Sequence, residues 1–256
     1  MLKEETHNYV CRLTFNRPEK LNALDEELRG RLVDVVHRLR DDPSIRVVVL
    51  AGEGRAFSAG YDIASSRFDG TWEDRRHQAG AWQRLLEDVE ALPQVTVARL
   101  HGSVIGGAAL LAVACDLRVA GHDVRISIPE LALGIPLTWA GLPRLVREIG
   151  LPGARDLVMT GRVVIGEEAL RLGLVQRVVK RDLLDTAVDD LVGSLLETPS
   201  VPLSMTKAAF RALGQAIAGN HLAWADPDIL ESIWKRPETA EAARRYLDEK
   251  RQRRLF

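Results

Sequence analysis

The sequence predicts an α/β fold, and three observations carry that expectation. Short β-branched runs alternate with longer segments whose apolar residues recur at helical spacing. Small and glycine residues follow several of the β-prone runs, where a strand would hand over to a helix. No near-identical period recurs along the chain, so a simple sequence repeat is excluded.

Taken in order, residues 9–15 form the first β-prone run, closed by the turn signal Asn16-Arg17-Pro18. Leu28, Leu32, Val35, Val36 and Leu39 then follow at helical spacing, with Asn22 or Asp25 as N-cap. Residues 46–50 read as a buried strand, because Val47-Val48-Val49 is too short for a helix, and they run into an Ala51-Gly52-Glu53-Gly54 loop. A helix is expected over 83–92 and a strand over 95–100. An apolar helix starts near Gly106 and reaches about Cys115, and two short strands follow at 117–120 and 124–128. Beyond Leu142 the pattern is mostly helical. Residues 166–172 end on Gly173 as C-cap, 174–179 form one more strand, and 182–196, 201–213 and 237–251 are helices. Thr198-Pro199-Ser200-Val201-Pro202 is the clearest break, dividing a core over 1–198 from a helical portion over 199–256.

A chain of 256 residues holds one substantial domain, or a domain with a small appendage. With 46% hydrophobic and 28% charged residues, the composition is that of a globular protein rather than a disordered or fibrous one. The formal net charge of -1 lacks the basic excess of a nucleic-acid binder. Cys11 and Cys115 stand far apart with no Cys/His cluster, which supports neither a zinc site nor a disulfide framework and suits a reducing compartment. No apolar stretch approaches the ~20 residues that span a bilayer. Acidic residues stand where a signal peptide would carry its apolar core. A cytoplasmic protein is expected, with no metal, membrane or nucleic-acid partner.

Three segments could carry chemistry. In Phe57-Ser58-Ala59-Gly60-Tyr61-Asp62-Ile63, small residues after a strand let a ligand approach the backbone; alone, this is equally a strand-to-helix turn. In Gly102-Ser103-Val104-Ile105-Gly106-Gly107-Ala108-Ala109, paired glycines open an apolar helix. Its first N–H groups suit an oxyanion or a phosphate, or simply close helix–strand packing. It is not GxGxxG, so a dinucleotide site is a poor fit. In Ile128-Pro129-Glu130-Leu131-Ala132-Leu133-Gly134, Glu130 is the only acid in an apolar stretch from Ile126 to Leu142. Such surroundings raise a carboxyl pKa toward values useful for proton transfer, unless the side chain sits at a loop surface or pairs with a base such as Arg144.

The order and spacing of these segments, with Asn16-Arg17-Pro18-Glu19-Lys20-Leu21-Asn22-Ala23-Leu24 before them, resemble the crotonase (enoyl-CoA hydratase/isomerase) family over nearly the whole chain. Glu167-Glu168-Ala169-Leu170-Arg171-Leu172-Gly173-Leu174-Val175 is similar to another recurrent stretch of that family. The resemblance implies a crotonase-like spiral of ββα turns, with C-terminal helices that mediate trimer formation, as a homotrimer or a dimer of trimers. It places the oxyanion-hole amides at Tyr61 and Gly107, in a cradle that includes Gly60 and Gly106. It places adenine and pantetheine contacts at Lys20, Leu21, Ala23, Ala59 and the backbone of Gly60, Tyr61, Asp62 and Ile63. Coenzyme A would enter as part of the substrate, with no separate cofactor.

Two departures bear on the chemistry. Hydratases of the family carry one glutamate on the helix after the glycines and a second after the proline; here the first position is Leu110 and the second is Glu130. A lone carboxylate suits proton shuttling between carbons, as in 3-enoyl to 2-enoyl isomerisation. The alternatives are a 2-enoyl-CoA hydratase with a non-standard second acid, Asp62 being one spare, or a non-catalytic acyl-CoA-binding protein. The second departure is bulk: Tyr61 replaces a commonly small residue, and Trp139 follows Leu137-Thr138. Their side chains either shape an acyl pocket or pack the core or a trimer interface. Thr138 stands where the aromatic-thioester dehalogenases of the family have a nucleophilic aspartate, which disfavours that chemistry. The basic run over 244–254 either reaches the CoA phosphates or is a solvated helix end. His101 and His122 read as structural.

Overall fold

A computed structural model describes residues 1–63, 70–234 and 236–253. The chain opens with a hairpin, β1 (Leu2–His7) and β2 (Val10–Phe15), turning on Asn8 and Tyr9, both at positive φ. β1 carries charge and faces water along most of its length, so it lacks the buried alternation that marks a strand in a sequence. Tyr9, expected in the first strand, belongs to the turn. Helix α1 (Glu26–Arg40) is capped by Asp25, whose Oδ1 accepts from the Leu28 N–H at 2.9 Å. Asn22 is not a cap. Its side-chain NH₂ donates to the Glu53 and Ala56 carbonyls, both at 2.9 Å, and its Oδ1 accepts from the Arg17 N–H.

β3 (Val47–Gly52) runs through Ala51 and Gly52, placed above in a loop, because both stay in register beside Thr14 and Phe15. There follow α2 (Trp72–Ala79), α3 (Ala81–Ala91), β4 (Val95–Leu100), β5 (Ser103–Ile105) and α4 (Gly107–Val113). α4 ends before Cys115 because the buried Arg118 guanidinium takes the Val113 and Cys115 carbonyls. Next come β6 (Leu117–Gly121), β7 (Arg125–Ser127), α5 (Gly141–Thr160), β8 (Val164–Ile165), α6 (Gly166–Leu172) and β9 (Arg177–Val179). Leu174 and Val175 are buried but lie outside the ladder, since the Val175 N–H returns to the Ala169 carbonyl. The chain closes with α7 (Leu184–Glu197), α8 (Ser200–Ala218), α9 (Asp226–Trp234) and α10 (Pro237–Arg253). Pro202 falls in the first turn of α8, where a missing N–H costs no intrahelical bond, so only Thr198 and Pro199 separate α7 from α8.

The strands form a six-stranded sheet ordered β1-β2-β3-β4-β6-β9, parallel except for the β1/β2 pair, and a three-stranded sheet ordered β5-β7-β8. Alternation divides the large sheet between two packing layers. Val48 and Leu50 of β3 face the main core with α1, α3 and α4, while Val47 and Val49 face Leu184, Val188 and Leu191 of α7. Both cysteines are buried free thiols. Burial raises the pKa of Cys11 and pushes that of Cys115 up to about 12. No helix among the described residues is long and apolar enough to cross a membrane.

Candidate functional site

The segment over 57–62 is laced between two others. The Ser58 N–H donates to Ser103 O and the Ile105 N–H to Ser58 O, while Ala59 donates to Leu21 O, Leu24 to Gly60 O and Asp62 to Leu24 O, all within 3.3 Å. Gly60 has φ +90°, and a Cβ there would collide with the Ile105 carbonyl. That close approach sets Gly60–Tyr61 beside Gly106–Gly107. Gly106 caps α4 at φ 56°, ψ −123°, a conformation open to glycine and strained for other residues. Its N–H is held by Ser127 O at 2.9 Å. The Gly107 N–H stands in the first turn of α4, ahead of the intrahelical bonds and at the positive end of the helix.

Pro129 delivers Glu130 into a short 3-10 turn (Glu130–Leu133), with its carboxylate against Gly106: Oε1 lies 2.5 Å from where a Gly106 Cβ would be. Oε2 is sealed from water and accepts no hydrogen bond from the described residues. This burial pushes the Glu130 carboxyl up to about 7, against a small opposing effect of its own backbone N–H. Arg144, considered above as its partner, is elsewhere. Fully buried, it donates to Glu90 on α3 at 2.9 and 3.1 Å and to the Trp139 carbonyl. The apolar pattern of α4 puts Leu110 on the same cavity wall, so no carboxylate faces Glu130 from that position.

Trp139 and Ala140 are both left-handed, at φ 60° and 52°. Each such residue costs on the order of 1–3 kcal/mol, which persists only where surroundings over-determine it. Here Arg144 holds the Trp139 carbonyl, Asp226 Oδ2 accepts from the Ala140 N–H at 2.8 Å, and the Gly141 N–H closes onto Thr138 O. The loop presses the Trp139 six-membered ring onto the Cα of Gly107, where a Cβ would clash. Trp139 therefore both packs the core and lines the site.

A cavity of about 400 Å³ collects these pieces. Ala23, Ala59, Gly60, Tyr61, Asp62 and Ile63 form one side of it, and Gly106, Gly107, Leu110 and Glu130 another. Lys20 and Leu21 do not line it. Lys20 is exposed on the 3-10 turn Pro18–Lys20, and Leu21 is tied in through its carbonyl bond from Ala59. The sequence reading missed Trp82, Trp234 and Tyr246, which also line the cavity from α3, α9 and α10. Tyr246 feels the Glu130 charge, and burial with that charge pushes its phenol up to about 12. Trp82 has a local signal, the apolar stripe it shares with Leu85 and Val89; Trp234 and Tyr246 have none. His101 bonds to Gly54 O and Arg99, and His122 Nδ1 accepts from the Arg181 N–H, both away from the cavity. Of the basic run, the side chains over 250–253 and residue 254 lie outside the described residues.

The model of the family "Enoyl-CoA hydratase/isomerase" matches residues 5–254. The crotonyl-CoA hydratase of Syntrophomonas wolfei is 33% identical over 206 residues, 80% of this chain and 79% of that one. The short-chain-enoyl-CoA hydratase of Clostridium acetobutylicum is 30% identical over 80% of this chain and 78% of its own. Among solved structures, an enoyl-CoA hydratase/isomerase from Pseudoalteromonas atlantica superposes with a TM-score of 0.86 at 26% identity, covering 97% of both chains. The crystal structure of a Thermobifida fusca homologue in complex with CoA has a TM-score of 0.76 at 28% identity, covering 85% of this chain and 90% of the other.

Proposed function

The chain belongs to the enoyl-CoA hydratase/isomerase family of enzymes, and from that premise we propose that it acts on an acyl-CoA thioester through an enolate, with Glu130 as single acid/base. The favoured reaction is 3-enoyl to 2-enoyl isomerisation. The observation that carries it is the buried Glu130 carboxyl packed on the glycine loop, its pKa raised by that burial, with Leu110 where a second carboxylate would stand. The N–H groups of Tyr61 and Gly107 hold the thioester oxygen as charge develops there, and one such donor is worth roughly 2.7–4 kcal/mol in a transition state. Glu130 takes a proton from the carbon next to the carbonyl. The electrons shift into a dienolate, and the same carboxyl returns the proton at the vinylogous carbon, so the double bond moves into conjugation. Lys20, Leu21, Ala23, Ala59 and the 60–63 backbone carry the CoA moiety. No other cofactor takes part in these steps.

A second reading is favoured by the relatives named hydratases. Glu26 and Asp62 also line the cavity, and either could hold the water that 2-enoyl-CoA hydration needs. A binder without catalysis is less well supported, because a base sealed against the glycine loop has no use in binding. We also assign the helical portion over 199–256 to oligomerisation and to covering the site. Parallel assays on 3-enoyl-CoA and 2-enoyl-CoA separate the two reactions. Glu130→Gln is expected to cut turnover at least ~10²-fold, the low end for a general acid–base group, with acyl-CoA affinity by isothermal titration nearly unchanged. Undiminished turnover in that variant would overturn the assignment.

A further inference from the structure

Aromatic residues make up only 5% of the chain, yet five line this one cavity: Tyr61, Trp82, Trp139, Trp234 and Tyr246. Four of them form a connected box. The Tyr61 ring stands edge-on to Trp82, Trp139 and Trp234, with centroids 6.4, 5.7 and 6.3 Å away and interplanar angles of 80°, 85° and 71°. Trp82 and Trp139 stack at 5.2 Å and 13°. These are the offset-stacked and edge-to-face arrangements that aromatic quadrupoles favour. Two of the rings are also pinned. Trp82 Nε1 donates to Glu26 Oε1 at 3.2 Å, and Trp139 rides on the left-handed pair held by Arg144 and Asp226.

Position matters as much as composition. Trp139 lies on Gly107 and Tyr61 follows Gly60, so the box begins beside the two proposed oxyanion amides. An acyl group held there meets π surfaces from its first carbons onward. Aliphatic side chains such as Leu110, Leu133, Ile135 and Leu137 line other parts of the same cavity, so any preference for flat groups rests on the rings alone. Flat rings fixed by strain and hydrogen bonds favour a ligand of matching flatness, which stacks without any wall moving.

We propose that the box formed by Tyr61, Trp82, Trp139 and Trp234 selects thioesters whose acyl group is flat and π-conjugated, in preference to long saturated chains. This rests on the acyl-CoA function proposed above. The test is isothermal titration of the intact wild-type protein with benzoyl-CoA, butyryl-CoA, octanoyl-CoA and free CoA. None of these three thioesters carries a double bond to hydrate or shift. Benzoyl-CoA is expected to bind about tenfold tighter than butyryl-CoA, the effect of one good aromatic contact, and also tighter than octanoyl-CoA, whose longer chain the rings do not fit. Trp139→Phe should keep most of that gap, and Trp139→Ala should close it. Equal or tighter binding of octanoyl-CoA by the wild type overturns the proposal without any variant. So does a full benzoyl preference in a Trp139→Ala protein with native circular dichroism. If no thioester binds more tightly than free CoA, the acyl-CoA function itself falls, and the box preference with it.

Discussion

Glu130 is where a single side chain links chemistry to stability. As the proposed base, it must be ionised to take the first proton. With its carboxyl near about 7, kcat/KM should rise about tenfold per pH unit up to that point and then level off. The stability effect is the reverse of an ordinary paired carboxylate. Between its ordinary 4.5 and about 7, the native protein holds a proton that the unfolded chain has released. Stability is therefore lost as pH climbs through that window and the loss is complete above it, on the order of 3 kcal/mol. Glu130→Gln should melt above the wild type at pH 8, with the gap closing toward pH 4.5; thermal midpoints across that range check this. The residue stood out in the sequence as an isolated acid among apolar neighbours, but that pattern fitted a loop surface or a pair with Arg144 equally well, and its proposed role came from the resemblance. Trp234 and Tyr246 did not stand out, since their contribution exists only once α9 and α10 fold back over the cavity.

Elements with a buried stripe were readable, and those without one were not. β3 and β4 show themselves as β-branched runs, and α1 by Leu28, Leu32, Val36 and Leu39 on one face. α2 has only Ala79 buried, so periodicity is silent, although the Thr71–Asp74 capping box at its start was there to be read. The link between α3 and α5 is invisible to local pattern altogether. Glu90 of α3 accepts from Arg144 and Arg147 of α5 and from Asn220, and so anchors the turn that carries Trp139. Removing it strands a fully buried guanidinium. Glu90→Ala should cost about 3–5 kcal/mol of stability, the range for breaking a buried ion pair, and a drop in denaturation midpoint measures it.

Across the whole molecule, the alternation of strand and helix and the order of the chemical segments carried the fold. Association is the part that a single chain leaves open. α8 exposes Val201 and Met205 near its start and Phe210, Leu213 and Ile217 together on one face further along, apolar surface of the kind that marks an interaction site. A second copy of the chain is the partner proposed, giving a trimer or a dimer of trimers. Light scattering on a sizing column should return three or six chain masses, and Phe210→Glu should shift the protein toward smaller species. The two cysteines have a consequence of another kind. Both thiols are sheltered in the main core, one on β2 between β1 and β3 and one just past the glycine helix, with their ionisation suppressed. Alkylating reagents can reach them only when the fold opens, so the rate of thiol modification becomes a clock for opening, wound at two places in one core.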